Sequence, residues 1–179
     1  MLENRHILLI VSGGIAAVKV PDLIRRLRER GAMVRCILTK AGEQFVTPMS
    51  LAALSGEKVF QDLFSLTDEN DMGHINLSRE ADIILVAPAT ANIMAKMAYG
   101  IADDLATTAL LAADKTVMIA PSMNVMMWNH AATQSNLKTL QDRGIEVVGP
   151  GAGDLACGEI GDGRMAEVAD LVSALSTFF

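Results

Sequence analysis

Cysteine is scarce in this chain: only Cys36 and Cys157 occur among its 179 residues, and they lie far apart. Neither belongs to a closely spaced set of cysteines and histidines of the kind that holds zinc, so we expect no metal site. Two distant cysteines also provide no disulfide framework, which is typical of proteins in a reducing compartment. We therefore expect a cytoplasmic protein.

Long apolar runs and excess positive charge are missing as well. No run approaches the roughly 18 apolar residues that a membrane span requires, and the N-terminal Met-Leu-Glu-Asn-Arg has no apolar signal-peptide region. The net charge of −6 gives no electrostatic reason to bind nucleic acid or an anionic membrane. A soluble protein that binds neither is expected.

Aromatic residues make up only 4% of the chain although 51% of it is apolar, so the core must consist of Ala, Leu, Ile, Val and Met. The length suits one domain spanning residues 1–179. Continuous apolar runs predict buried strands at residues 6–11, 83–87 and 117–120, and further strands are predicted at residues 33–38 and 146–148. Helical spacing predicts helices at residues 15–30, 41–55 (interrupted at Pro48), 91–100, 104–113, 133–143 and 167–178.

Strands that alternate with helices predict an α/β fold, a single doubly wound Rossmann-like domain. Its sheet should be mostly parallel, with helices on both faces. Six glycines between residues 149 and 163 predict a loop of about fifteen residues, a length typical of lids and binding loops.

In such sheets, ligands bind beyond the carboxyl ends of the strands. Four of these ends carry small, polar or prolyl residues, at positions 12–14, 39–40, 88–92 and 121–124. The first turn, Ser-Gly-Gly, is neither a P-loop nor the G-x-G-x-x-G of dinucleotide sites. It can bind a phosphate or simply pack a helix on a strand.

Thr39 and Lys40 end the second strand, where a dinucleotide site usually has an acidic residue for the ribose. A hydroxyl, a cation and backbone N–H groups suit a terminal phosphate instead. This favours a mononucleotide such as FMN over NAD.

Four further residues carry possible chemistry. Asn124 stands among methionines and the single tryptophan, where it is either the N-cap of a helix or part of a ligand pocket. His74 is either structural or an acid/base group titrating near neutrality. Cys157 lies in the glycine-rich segment, and the nearby Arg164 either meets an anionic substrate or is a solvated charge.

Several motifs together resemble the homo-oligomeric flavin-containing cysteine decarboxylases. Residues 121–128, Pro-Ser-Met-Asn-Val-Met-Met-Trp, match the P-x-M-N-x-x-M-W signature of that family. Residues 88–92 resemble its second signature and residues 12–17 its FMN-phosphate turn. Residues 73–75 and 155–166 match its catalytic histidine segment and its active-site flap. Thr90 replaces the serine of several relatives, and Ile93 the threonine of some.

Within this family the chain is most similar to the branch of coenzyme A biosynthesis. The resemblance implies that 4′-phosphopantothenoylcysteine is decarboxylated to 4′-phosphopantetheine. The thiol is oxidised to a thioaldehyde with FMN, carbon dioxide leaves, and the ene-thiol is reduced without NAD(P)H. The alternatives are a flavin prenyltransferase of the same fold and a non-catalytic FMN-binding regulatory subunit.

The resemblance also implies roles and partners. His74 would be the acid/base, Asn124 would hold the substrate carboxylate, and Cys157 would supply the final proton. The cofactor-binding residues implied are Gly13, Gly14, Ile15, Thr39, Lys40, Ala41, Thr90, Ala91, Asn92, Ile93 and Ser122, and Asp154, Leu155 and Ala156 would touch substrate with Asn124. The family forms trimers or dodecamers, and its members are often fused to a phosphopantothenate–cysteine ligase. Because nothing follows Phe179, we expect either a stand-alone enzyme or an excised domain.

Overall fold

The fold is built on a six-stranded, wholly parallel sheet in a computed structural model that describes residues 2–63, 73–154, 158 and 160–179. The strand order is β3-β2-β1-β4-β5-β6, so the predicted doubly wound fold is confirmed. The strands are β1 (His6–Val11), β2 (Met33–Leu38), β3 (Val59–Phe60), β4 (Ile83–Ala89), β5 (Val117–Pro121) and β6 (Glu146–Val147). The two-residue β3 is too short to give a sequence pattern, and it was not predicted.

Eight α-helices are described on the two faces of the sheet or at its edge. They are α1 (Val20–Glu29), α2 (Pro48–Ser55), α3 (Gly73–Glu80), α4 (Ala91–Tyr99), α5 (Leu105–Leu111), α6 (Val125–Asn129), α7 (Ala131–Asp142) and α8 (Val168–Phe178). Short 3-10 helices at Ile15–Lys19 and Gly42–Gln44 replace the first parts of two predicted helices. None of the helices within the described ranges is both long and apolar enough to cross a membrane.

Pro48 begins α2 rather than interrupting a longer helix. Proline suits the first helical position, where its missing N–H would have no partner within the helix. The preceding Thr47 caps the helix, because its Oγ1 accepts a hydrogen bond from the N–H of Ser50 at 3.1 Å. The predicted helical stretch at residues 41–55 is therefore divided before Pro48, and its first half contains only the short 3-10 helix Gly42–Gln44.

The core lies in two layers, one on each face of the sheet. Along β1, Leu9 and Val11 pack into one layer while Leu8 and Ile10 pack into the other. Helices α1 and α8 cover the first layer, and α4, α5 and α7 cover the second. Burial on both faces explains why the strands are continuous apolar runs rather than alternating ones.

The glycine-rich segment contains a hairpin, so the expected long loop is wrong. Strand β7 (Gly151–Asp154) pairs antiparallel with β8 (Ile160–Arg164). Gly161 and Gly163 have φ angles of 157° and 138°, which L side chains rarely adopt. A glycine-rich strand has no apolar alternation, which is why the pattern indicated a loop. Residues 155–157 between the two strands lie outside the described residues.

Candidate functional site

The order of the strands reverses between β1 and β4, and a cavity of about 630 Å³ opens at this point. Such a reversal leaves a crevice at the carboxyl ends of the strands, because the connections run to opposite sides. The residues that follow β1, β2, β4 and β5 all contribute to the cavity. The described residues that line it are Ser12, Gly13, Gly14, Ile15, Thr39, Lys40, Ala41, Thr90, Ala91, Asn92, Ile93, Lys96, Asp104, Thr107, Ser122, Met123, Asn124, Met127 and Gly163.

Ser12 joins the ends of β1 and β4 at the floor of the cavity. Its buried hydroxyl donates to the carbonyl of Pro88 at 2.6 Å and accepts from the N–H of Thr90 at 3.3 Å. Thr90 in turn caps α4, because its Oγ1 accepts from the N–H of Ile93 at 3.3 Å. The turn after β4 is therefore held against the turn after β1 that contains Gly13 and Gly14, here called the glycine turn. β4 itself extends through Pro88 to Ala89, two residues beyond its predicted end.

The glycine turn after β1 packs closely against the turn after β2. A Cβ on Gly13 would lie 2.3 Å from the Cβ of Ala41, so only glycine fits there without movement. Thr39 fixes the second turn, since its Oγ1 donates to the carbonyl of Val11 at 3.2 Å and accepts from the N–H of Gly42 at 3.1 Å. These contacts leave Lys40 on the cavity wall beside the glycine turn.

Asn124 both caps a helix and lines the cavity, so the two readings of its role are compatible. Its Oδ1 accepts from the N–H of Met127 at 2.9 Å, which makes it the N-cap of α6. The neighbouring Met123 donates its N–H to the carbonyl of Gly163 at 2.9 Å. A Cβ on Gly163 would lie 2.3 Å from the Met123 carbonyl oxygen. Glycine at this position therefore lets the hairpin lie directly against the Asn124 turn.

A charged wall that the sequence did not predict closes the cavity between α4 and α5. The Lys96 Nζ lies 2.8 Å and 2.9 Å from the two carboxylate oxygens of Asp103. The hydrogen bond from Lys96 lowers the pKa of Asp103, with a smaller contribution from the charge of the lysine. Asp104 caps α5 in a reciprocal box with Thr107, and Lys96, Asp104 and Thr107 all line the cavity. The sequence did contain one signal for Lys96. It lies one helical turn after the predicted cofactor residues Asn92 and Ile93, and therefore on the same face of the helix.

The predicted site residues divide into two groups. All eleven predicted cofactor residues and Asn124 line the one cavity. His74 belongs to α3, but its side chain lies outside the described part of the chain, as does that of Asp154 in β7. Leu155, Ala156 and Cys157 lie wholly outside it.

Arg164 and Cys36 both make contacts that are typical of structural residues. Arg164 pairs with Glu167 at 2.8 Å at the base of the hairpin, and Lys19 also lies 3.2 Å from that carboxylate. Lys19, and to a smaller extent Arg164, lower the pKa of Glu167. Cys36 is buried in β2, where desolvation raises the pKa of its thiol to about 12. Such a thiol is a core residue rather than a nucleophile.

Comparison with known proteins agrees with this geometry. The family model described as Flavoprotein matches residues 1–179. The chain belongs to the flavoprotein family. It is 49% identical over 178 residues to the coenzyme A biosynthesis bifunctional protein CoaBC of Vibrio vulnificus (strain YJ016). The match covers 99% of this chain but 44% of that relative, so the chain spans less than half of the bifunctional protein's length.

Two solved structures resemble this flavoprotein over nearly their whole length. One is a cysteine-to-serine mutant of PPC decarboxylase complexed with pantothenoylaminoethenethiol, with a TM-score of 0.88, 34% identity and 98% of both chains covered. The other is the FMN binding protein AtHal3, with a TM-score of 0.86 and 34% identity over 99% of this chain and 97% of that one.

Proposed function

We propose that this chain decarboxylates 4′-phosphopantothenoylcysteine with FMN as cofactor and forms 4′-phosphopantetheine. The observation that carries the proposal is the single cavity at the β1/β4 reversal, bounded by both the glycine turn and the Asn124 turn. The similarity to a PPC decarboxylase across 98% of both chains supports the same reaction. FMN would supply the reversible two-electron chemistry that lets carbon dioxide leave next to a sulfur-bearing carbon.

The cavity residues near the sheet fit the phosphate of FMN. Gly13 and Gly14 present backbone without side chains, and Thr39 and Lys40 add a hydroxyl and a cation from the adjacent turn. A Cβ on Gly14 would meet no protein atom closer than 3.5 Å, so the absence of a side chain there is not required by packing. We infer that this space serves the ligand. Residues 90–93 and Ser122 would then border the ribityl chain and the ring.

Asn124 is proposed to hold the substrate carboxylate. The hydrogen bond from Met127 to its Oδ1 fixes the orientation of the amide at the cavity wall. A neutral amide can orient a carboxylate by donating hydrogen bonds. It adds no permanent positive charge that would oppose the loss of carbon dioxide.

Further roles are proposed for residues whose side chains lie outside the described part of the chain. His74 would act as the acid/base, and Cys157 would protonate the product during the final reduction. The related cysteine-to-serine mutant in complex with an aminoethenethiol supports a need for cysteine after the ene-thiol has formed. Asp154, Leu155 and Ala156 would contact the substrate from the hairpin.

Carbon dioxide release from phosphopantothenoylcysteine, with and without added FMN, tests the proposal. Asn124→Asp should retain FMN and stability, since aspartate caps helices as well as asparagine does. It should lose carbon dioxide release, because its negative charge repels the substrate carboxylate. Asn129→Asp places the same charge at the exposed end of α6, outside the cavity, and should stay active.

Undiminished turnover by Asn124→Asp would refute the carboxylate-holding role. FMN binding by the wild type without carbon dioxide release would refute the enzymatic proposal and leave a binding protein. In the Cys157→Ser variant, carbon dioxide release with accumulation of an unsaturated product is expected. Normal 4′-phosphopantetheine formation by that variant would remove Cys157 from the mechanism.

We further propose that the chain works as a cytoplasmic homo-oligomer, a trimer or dodecamer, with a fused or associated phosphopantothenate–cysteine ligase. Ile15 and Met127 line the cavity although 54% and 48% of their surfaces are exposed. A second copy could cover this apolar rim. Light scattering of the purified chain would measure the subunit number, and a monomer that turns over substrate would refute the oligomer.

A further inference from the structure

The wall between α4 and α5 is a continuous hydrogen-bonded network. Lys96 pairs with Asp103, whose backbone N–H donates to the Oγ1 of Thr107 at 3.2 Å. That hydroxyl is 2.6 Å from the Oδ1 of Asp104, which also accepts the N–H of Thr107 at 2.7 Å. Because each member is held by the next, the positions of Lys96 and Asp104 on the cavity wall are fixed before any ligand binds.

This network lies well away from the turns after β1 and β2, which are proposed to bind the FMN phosphate. Lys96 is six residues after Thr90, which at 1.5 Å per residue places it about 9 Å along α4. Lys40 follows β2, two strand spacings or about 10 Å from β4 across the sheet. Lys96 and Lys40, the two lysines among the described lining residues, therefore line separate parts of the cavity.

The charges of the wall argue against a second phosphate there. Lys96 contributes one positive charge, but Asp103 and Asp104 contribute two negative ones, and a phosphate dianion would be repelled. The wall instead offers a cationic donor beside an anionic acceptor. The Lys96 ammonium has three donors, and the Asp104 carboxylate keeps acceptor sites beyond the two contacts from Thr107.

We propose that Lys96 and Asp104 are specificity-determining residues that bind the pyrimidine edge of the flavin ring. That edge carries a carbonyl, an N–H and a second carbonyl in a row, which is complementary to a donor beside an acceptor. Lys96 donates to a ring carbonyl, and Asp104 accepts the ring N–H. Because reduced flavin carries negative charge near this edge, the Lys96 charge offsets part of the repulsion from Asp103 and Asp104 and favours the reduced form relative to a wall without the lysine. The inference rests on the proposed use of FMN.

The midpoint potential of the bound flavin tests the role of Lys96. Lys96→Met keeps an apolar stem and removes the charge, while Asp103 remains. Loss of one charge-assisted hydrogen bond should weaken FMN binding about tenfold. If reduced FMN loses about tenfold more affinity than oxidised FMN, the potential becomes more negative by about 30 mV. Lys138→Met, which removes an exposed ion pair with Asp142, is the matched control and should leave both values unchanged.

The role of Asp104 can be tested with FMN methylated at the ring N–H. Wild-type protein should bind this analogue at least about tenfold more weakly than FMN. Asp104→Asn keeps the N-cap of α5 but places an amide donor toward the ring N–H. The difference in affinity between FMN and the methylated analogue should therefore be smaller for this variant than for the wild type. Equal binding of the two flavins by the wild type would overturn the proposal without reliance on any variant.

The outcomes separate this inference from the proposed function. Wild-type protein that takes up no FMN would contradict both. Wild-type protein that binds FMN and releases carbon dioxide, while Lys96→Met has the wild-type potential and affinity, would overturn only the role of Lys96. Circular dichroism of each variant establishes that the fold is retained, and the analogue measurement on the wild type decides the matter if a variant fails to fold.

Discussion

Gly13→Ala is the substitution that most directly tests how closely the turn after β1 must approach the turn after β2. The added Cβ would lie 2.3 Å from the Cβ of Ala41 and 2.8 Å from its carbonyl carbon. Carbon atoms in contact are about 3.5–4.0 Å apart. The turns after β1 and β2 must therefore separate by more than about 1 Å, which moves Thr39 and Lys40 relative to the glycine turn.

Overpacking of this kind typically costs about 1–3 kcal/mol of unfolding free energy. We expect a loss in that range for Gly13→Ala in the flavin-free protein. Affinity for FMN should fall as well, because the proposed phosphate site between these turns is widened. Adding Ala41→Gly should restore part of the stability by removing the nearest atom, while the backbone carbon at 2.8 Å still opposes the methyl group.

Gly14→Ala is the matched control. Its Cβ would lie 3.5 Å from the Thr90 Cγ2 and 3.7 Å from the Pro88 Cγ, which are ordinary contacts. The backbone of Gly14 is extended, with φ −138° and ψ 154°, and alanine adopts it readily. The stability of the flavin-free protein should therefore stay within about 0.5 kcal/mol of the wild type. FMN affinity should nevertheless fall, since the methyl group projects into the cavity.

Urea denaturation of flavin-free protein and fluorescence titration with FMN measure the two effects separately. The expected pattern is loss of both stability and affinity for Gly13→Ala, and loss of affinity alone for Gly14→Ala. Wild-type stability of Gly13→Ala would refute the argument from close approach. Wild-type FMN affinity of Gly14→Ala would refute the proposal that the space beside Gly14 holds the phosphate.

Two further predictions concern the hairpin and the core. Gly163→Ala should lower the melting temperature and carbon dioxide release, because its Cβ would lie 2.3 Å from the Met123 carbonyl oxygen at a φ of 138°. Gly151→Ala, whose Cβ would lie 3.8 Å from the nearest atom, should be tolerated in the same measurements. In a Cys157→Ala background, native Cys36 should resist alkylation at pH 8 and react quickly in urea, because burial raises the pKa of its thiol from 9.0 to about 12. Rapid alkylation of Cys36 in the native protein would contradict its burial. For the same reason the free energy of unfolding should fall as the pH rises from about 9 toward 12, since only the thiol of the unfolded chain ionises there.

Elements buried on both sides were predicted best from the sequence. The bounds of β1 and β2 agree with the predicted strands. The reason is clearest for β1, whose last five residues are all buried, because a strand covered on both faces must be apolar throughout. The hairpin of β7 and β8 was missed because glycines take alternate positions in its strands, which leaves no periodic apolar pattern. The expected flap residues at 155–157 are outside the described ranges, so that prediction stays open.

The cavity was predictable in part. The four strand ends that form it were identified because turns after parallel strands must meet at one edge of the sheet. The capping role of Asn124 was one of two stated alternatives, and its side chain serves as a cap at the cavity wall. Lys96, Asp104 and Thr107 were not identified, because each resembles an ordinary helix-surface or capping residue.

The sequence by itself determined the alternation of strands and helices and the identity of the residues at each strand end, because burial and chain geometry act locally on those patterns. Only the tertiary structure decided that β1 and β4 are neighbours and that α4 and α5 meet in a charged wall. Which strands and helices become neighbours depends on where the chain crosses the sheet. That choice depends on the packing of whole faces rather than on any short stretch of residues.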